Sequence, residues 1–146
     1  MTRVGVVVFP GSNCDHDAWY AAGKVLGHQA EFLWHDDSQL RGSDVVILPG
    51  GFSYGDDIGS GVIFASHLRS HLAETLGEFL QRDTLMLGIC NGFQVLLKSG
   101  ILPGGSTTWP PKPDVPAEAT LTWNDNGKYT ALWVRLKVGQ TKNVFL

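Results

Sequence analysis

The run Thr84-Leu85-Met86-Leu87-Gly88-Ile89-Cys90-Asn91-Gly92-Phe93-Gln94 sets a cysteine between two glycines, where an apolar strand-like segment changes to a helical one. A turn this abrupt requires a strand to end and a helix to begin within about two residues, which calls for an α/β fold. Small residues two before and two after the cysteine let the turn close and push its side chain outward. This is the nucleophile-elbow logic of G-x-S-x-G with sulfur in place of oxygen. A helix opening at Asn91 also aims free N–H groups and its positive dipole end at the sulfur, which favours thiolate over thiol. The plainer reading, a small buried core cysteine, leaves the paired glycines unexplained.

The rest of the chain repeats the strand-helix alternation. Arg3 to Phe9 (RVGVVVF) is a short β-branched run closed by Pro10 and Gly11, the pattern of a strand covered on both faces. A helix follows, capped by Asn13 or Asp15, with Trp19, Ala22 and Leu26 at helical spacing and Gly27 at its end. Strands are predicted at Ala30–Trp34, Asp44–Leu48 and Thr84–Ile89. One long helix is predicted from about Gly59 to Gln81, with Val62, Ala65, Leu68, Leu72, Leu76 and Phe79 as its apolar stripe, and a second from Asn91 to about Ser99. The fold class is therefore α/β, a doubly wound, mostly parallel sheet with flanking helices.

Five of the seven prolines fall between Pro103 and Pro116, so residues 103–118 read as a connecting loop. Beyond it the period changes to two, and Asn126-Gly127 suits a tight primed turn, which predicts a β-hairpin over residues 119–138. The 146 residues read as a single domain whose core needs no disulfide framework. A net charge of -3 with no basic stripe argues against nucleic acid as the main partner. No apolar run approaches the roughly 18 residues of a membrane span, and no secretory signal opens the chain, so a reducing cytoplasm is the expected compartment. Cys14 and Cys90 lack metal-ligand spacing; Cys14 reads as a packed core thiol, with no disulfide to Cys90 expected.

A second glycine-rich segment, Pro49-Gly50-Gly51-Phe52-Ser53-Tyr54-Gly55, follows another predicted strand and so shares the carboxyl edge of the sheet with Cys90. Paired glycines at Gly50 and Gly51 let a backbone amide approach a substrate oxygen, and the Gly51 and Asn91 N–H groups together suit an oxyanion. A plain tight turn is the alternative for this loop.

PGSNCD near the start, PGGFSYGDD in the middle, and GICNGFQVL with ILPG after it resemble the glutaminase subunits of phosphoribosylformylglycinamidine synthase, a class I glutamine amidotransferase family with a flavodoxin-like fold. The similarity spans roughly residues 1 to 105 in register and continues more loosely through LTWNDNGKYTALWVRLKV. It implies that Cys90 attacks the side-chain amide of L-glutamine, that ammonia leaves, and that water hydrolyses the γ-glutamyl thioester. By position Gly51 and Asn91 match the oxyanion-hole residues, and Gln94 matches a contact to substrate glutamine. The resemblance also implies a large ATP-using synthase subunit, a small accessory subunit, and no cofactor in this chain, with ATP and Mg held by the large subunit.

One part of the family's machinery is not found. Its His-x-Glu pair lies far downstream of the elbow, whereas all five histidines here (His16, His28, His35, His67 and His71) precede Cys90. The chain thus reads as an incomplete or divergent copy of the domain. His16 reads as a solvent-facing residue at a helix start, and Asp36-Asp37 and Asp56-Asp57 as turn acids. His67 and His71 have the i, i+4 spacing of metal ligands, but with no third ligand nearby in the sequence they read as a solvated helix face, so no metal is expected. Two other functions stay open: a catalytically silent interaction module, and a different elbow-cysteine α/β hydrolase.

Overall fold

The structure, a computed structural model, describes residues 1–139. Four strands, β1 (Arg3–Val8), β2 (Gln29–Trp34), β3 (Val45–Leu48) and β4 (Leu85–Gly88), form one sheet in the order β2-β1-β3-β4. All three pairings are parallel. The expected doubly wound α/β sheet is present.

The alternation along β1 explains why a run with no polar residue beyond Arg3 sits at the sheet centre. Val4 and Val6 pack on one face with Ala22 and Ile47, while Val7 and Phe9 point to the opposite face. That second face carries the larger core, where Leu33, Val46 and Leu48 meet helices α2 (Val62–His71), α3 (Ala73–Gln81) and α4 (Asn91–Ser99). Gly5 is required by space: a Cβ there would stand 2.3 Å from Leu33 Cδ1 and 2.7 Å from Ser43 Oγ. Among the described residues no helix is long and apolar enough to cross a membrane.

Three local expectations are corrected. The first helix, α1 (Asp15–Tyr20), has Cys14 at its N-cap with no side-chain cap, and it runs on into a π turn over Ala21–Val25. Neither Asn13 nor Asp15 caps it. The single helix over 59–81 is two helices: Gly59 and Gly61 hold positive φ ahead of Val62, and the chain breaks at Leu72 (φ -119°, ψ 13°). Ser70 supplies the reason, because its Oγ donates back to the Ser66 carbonyl at 3.0 Å and the His67 carbonyl at 3.2 Å, a contact that bends helices. The apolar stripe survives the break, with Leu68, Leu72 and Leu76 all buried.

The third correction concerns residues 119–138, which form no strand. The turn forms one residue early, with Gly127 N–H donating to Asn124 O at 2.8 Å; Asn126 does not take the positive φ of the expected primed turn, and no ladder extends from it. Trp123, Tyr129, Leu132 and Trp133 are exposed. A two-stranded ribbon is marginal unless one face is covered, and here nothing among the described residues covers it.

The proline-rich segment contributes more than a connection. Trp109 inserts into the main core, 7% exposed, and its indole N–H donates to the Ala73 carbonyl at 2.8 Å at the start of α3. Trp109→Ala is therefore expected to lower unfolding free energy by about 3–5 kcal/mol, and Trp109→Phe, which forfeits the hydrogen bond but keeps a ring, by clearly less. Urea denaturation of the three proteins checks this order; equal midpoints for all three would show that the segment lies on the core without stabilising it.

Candidate active site

Strand β4 ends at Gly88 and α4 begins at Asn91, leaving Cys90 as the N-cap residue with φ 52° and ψ -111°. A non-glycine residue in this region carries about 1–3 kcal/mol of backbone strain, and the surrounding packing must hold it there. The two flanking glycines show how. A Cβ on Gly92 would lie 2.0 Å from the Leu48 carbonyl oxygen, and one on Gly88 would lie 2.7 Å from Leu96 Cδ1 and 2.8 Å from the Gly92 backbone. Strand, elbow and helix touch backbone to backbone, and the Cys90 side chain is left exposed.

Two further carboxyl-edge loops meet at the elbow. The chain leaves β1 toward β2 on one side and returns to β3 on the other, so the carboxyl ends of β1 and β3 mark the point of the sheet where ligands bind in such folds. The two loops are joined to each other by backbone hydrogen bonds: Asn13 and Cys14 N–H both donate to Gly50 O at 3.1 Å, Phe52 N–H to Gly11 O at 2.8 Å, and Tyr54 N–H to Pro10 O at 2.9 Å. Gly51 sits inside this seam. A Cβ there would stand 2.3 Å from Gly11 O and 2.9 Å from Asn13 N, so glycine is needed for space. Among the described residues, the N–H groups of Gly51 and Asn91 donate to no other backbone group.

Gly50 lies between the two thiols. A Cβ on it would be 3.5 Å from Cys90 Cβ and 3.6 Å from Cys14 Sγ. Cys14 is exposed at the same crevice as Cys90, which corrects its reading as a packed core thiol. No sequence pattern signalled this, since the two are 76 residues apart and meet only through the β3 loop.

The Asn91 side chain, 1% exposed, ties the elbow to the β3 loop. Its Oδ1 accepts from Ser53 N–H at 3.0 Å, and its Nδ2 donates to Asp56 Oδ1 at 3.2 Å and Gln94 Oε1 at 3.1 Å. The loop needs such anchoring because Tyr54, Gly55 and Asp56 all hold positive φ. Asp56 also accepts from Gly61 N–H, so it is a turn acid as expected. Gln94 is half-buried and spends its carbonyl oxygen on Asn91.

The histidines lie elsewhere on the molecule. His16 is exposed and tilts against Phe32, with ring centroids 5.0 Å apart. His35, at the end of β2, is buried; its Nδ1 meets Tyr54 Oη at 3.1 Å and Asp36 Oδ1 at 3.3 Å. Burial holds the His35 imidazole below its usual pKa, with Asp36 opposing and His67 reinforcing the shift. Burial, helped by the Asp36 charge, raises the Tyr54 phenol. His67 and His71 stack with centroids 4.4 Å apart. Among the described residues no histidine is hydrogen-bonded to Cys90.

The whole chain, residues 1–146, matches the family of the CobB/CobQ-like glutamine amidotransferase domain. It is 52% identical over 102 residues to the phosphoribosylformylglycinamidine synthase subunit PurQ of Salinibacter ruber, covering 70% of this chain and 42% of that protein. It is 38% identical over 143 residues to PurQ of Symbiobacterium thermophilum, covering 98% of this chain and 53% of the relative. A solved structure, that of PurLQS from Thermotoga maritima, aligns with a TM-score of 0.60 and 41% identity over 71% of this chain and 47% of the matched chain. The chain spans about half the length of the curated relatives it matches. With Cys90 on a tight strand-to-helix elbow and that family matched over residues 1–146, the chain belongs to the CobB/CobQ-like glutamine amidotransferase family and is similar within it to the phosphoribosylformylglycinamidine synthase subunits PurQ.

Proposed function

We propose that this chain carries the nucleophile and oxyanion part of a glutamine amidohydrolase that supplies ammonia to phosphoribosylformylglycinamidine synthase in purine biosynthesis. The observation that carries this reading is Cys90, exposed and strained on a backbone-tight elbow beside the Gly50-Gly51 turn. The Cys90 sulfur adds to the amide carbon of L-glutamine, and the negative charge on the former carbonyl oxygen falls to the Gly51 and Asn91 N–H groups. The amide nitrogen takes up the proton given up by the thiol, and collapse of that intermediate breaks the C–N bond, releases ammonia and leaves the γ-glutamyl thioester. Water then adds to the thioester and releases glutamate and the thiol. Gln94 and Gly50 are the contacts we assign to the bound glutamine, on the similarity to the family's motifs. The partners are a large ATP-using synthase subunit and a small accessory subunit, in the cytoplasm; ATP and Mg belong to the large subunit.

Both half-reactions need a proton carrier, and each such group is worth on the order of 100- to 10,000-fold. No histidine follows Cys90 in these 146 residues. The expected behaviour of residues 1–146 by themselves is thus covalent capture of a glutamine-like diazo ketone at Cys90, with glutamate released only slowly. Steady glutamate production that Cys90→Ala abolishes would require a base among the early histidines, with His16 tested first.

Of the two thiols, Cys90 is expected to be alkylated first by iodoacetamide. Cys14 has Asp15 and Asp17 in the helical turn that follows it, whereas the first turn after Cys90 holds no acid, and alkylation proceeds through an anionic sulfur. Peptide mapping reads the order. Preferential labelling of Cys14 would move the nucleophile to the β1 loop, and an inert Cys90 would favour the silent interaction module.

Gly51→Val tests the oxyanion role in an active assembly containing this chain. A side chain there would force Gly51 away from Gly11 O and turn its N–H from the crevice. Loss of one such donor costs about 3 kcal/mol in the barrier, so turnover is expected to fall by about two orders of magnitude or more. Unchanged turnover would reduce the GGFSYG loop to a plain turn.

A further inference from the structure

The i, i+4 pair His67 and His71 does not form a site; His67 alone, 14% exposed at its side chain, meets potential ligands from another element. The turn that ends β2 carries His35 and Asp36 to the side of α2, where Asp36 Oδ1 lies 3.3 Å from His35 Nδ1 and 3.2 Å from His67 Nε2. The three ligand atoms lie within 4.8 Å of one another. We propose that His35, Asp36 and His67 form a binding site for one divalent transition-metal ion of the zinc type, separate from the Cys90 crevice.

The spacing supports it. With bonds of about 2.0–2.1 Å, the edges of a tetrahedron around zinc are about 3.3 Å long. Two edges of this triangle already have that length, and the third is no longer than 4.8 Å. The His35 carbonyl oxygen, 3.1 Å from His67 Nε2, is placed to serve as a fourth donor or to yield that position to water. Two imidazoles and one carboxylate suit zinc, cobalt or nickel; magnesium and calcium prefer all-oxygen sets, and only one carboxylate is present.

Of the three ligands, His35 is fixed most firmly. Its ring is buried against Phe64 and Tyr54, and the Tyr54 hydroxyl at 3.1 Å shares its Nδ1. A metal would take this nitrogen from Tyr54, and Tyr54 belongs to the loop that Asn91 anchors to the elbow. Occupancy of the site therefore bears on the loop beside Cys90 without any metal atom reaching the sulfur.

The test is titration of the whole chain with Zn2+ against a chromophoric chelator, and with Co2+ followed by its visible absorption. The two cysteines are first blocked by alkylation so that thiols contribute nothing. The expected result is one equivalent bound, with the strong visible bands of tetrahedral cobalt. His67→Ala and Asp36→Asn should each weaken binding by at least about 100-fold, since loss of even an indirect supporting residue weakens metal affinity about 10- to 100-fold. His28→Ala should bind as the parent does. Melting curves show whether each variant folds, and the rise in Tm with Zn2+ should disappear with the ligands. Retention of the parent affinity in the folded Asp36→Asn and His67→Ala proteins would overturn the assignment, as would weak, non-saturating uptake by the parent. Either result would leave the triad as a hydrogen-bond network joining β2 to α2.

Discussion

The rest of the site depends on the contact between Gly92 and the Leu48 carbonyl. Strand β3 and helix α4 approach so closely there that a single methyl group on residue 92 would overlap the oxygen. That approach fixes where α4 begins, and hence forces Cys90 into a positive-φ conformation that it would not adopt alone. Gly88 closes the same corner from the strand side. Packing density thus holds the strain and presents the Cys90 side chain on a rigid corner.

Around this corner the molecule uses hydrogen bonds to align loops that have little packing of their own. Asn91 spends its whole side chain on the Ser53 N–H, Asp56 and Gln94, so the residue whose backbone faces the crevice also holds the β3 loop in its strained form. The β1 loop is fastened in turn by the Gly50 and Gly11 carbonyls. A buried amide satisfied on both ends is worth more as a positioning device than as net stability, because removing it leaves its partners unpaired.

The second polar cluster follows similar logic at the end of β2. Asp36 lies between two imidazoles, one buried and one on α2, and the Tyr54 hydroxyl completes the set. Both clusters reach the loop of residues 53–56, one through Asn91 and the other through Tyr54. That loop, rich in positive φ, is the element through which the two parts of the molecule are connected.

Much of this was legible in the chain itself. The elbow glycines, the alternation of RVGVVVF and the paired Gly50-Gly51 follow from steric rules that act over a few residues, so they determined the parallel sheet, the position of Cys90 and the tight loop after β3. The break at Leu72 was not legible, because the apolar stripe runs through it and only Ser70 back-bonding marks it. The hairpin over 119–138 failed for the opposite reason: its ladder requires a covered face that local pattern cannot supply, and without the ladder Asn126 does not take the positive φ of the expected primed turn. Cys14 beside Gly50, Trp109 in the core, and His35 with His67 were decided by tertiary structure alone. In each case the partners are dozens of residues apart, and only the packing of strands, helices and loops on one another brings them together.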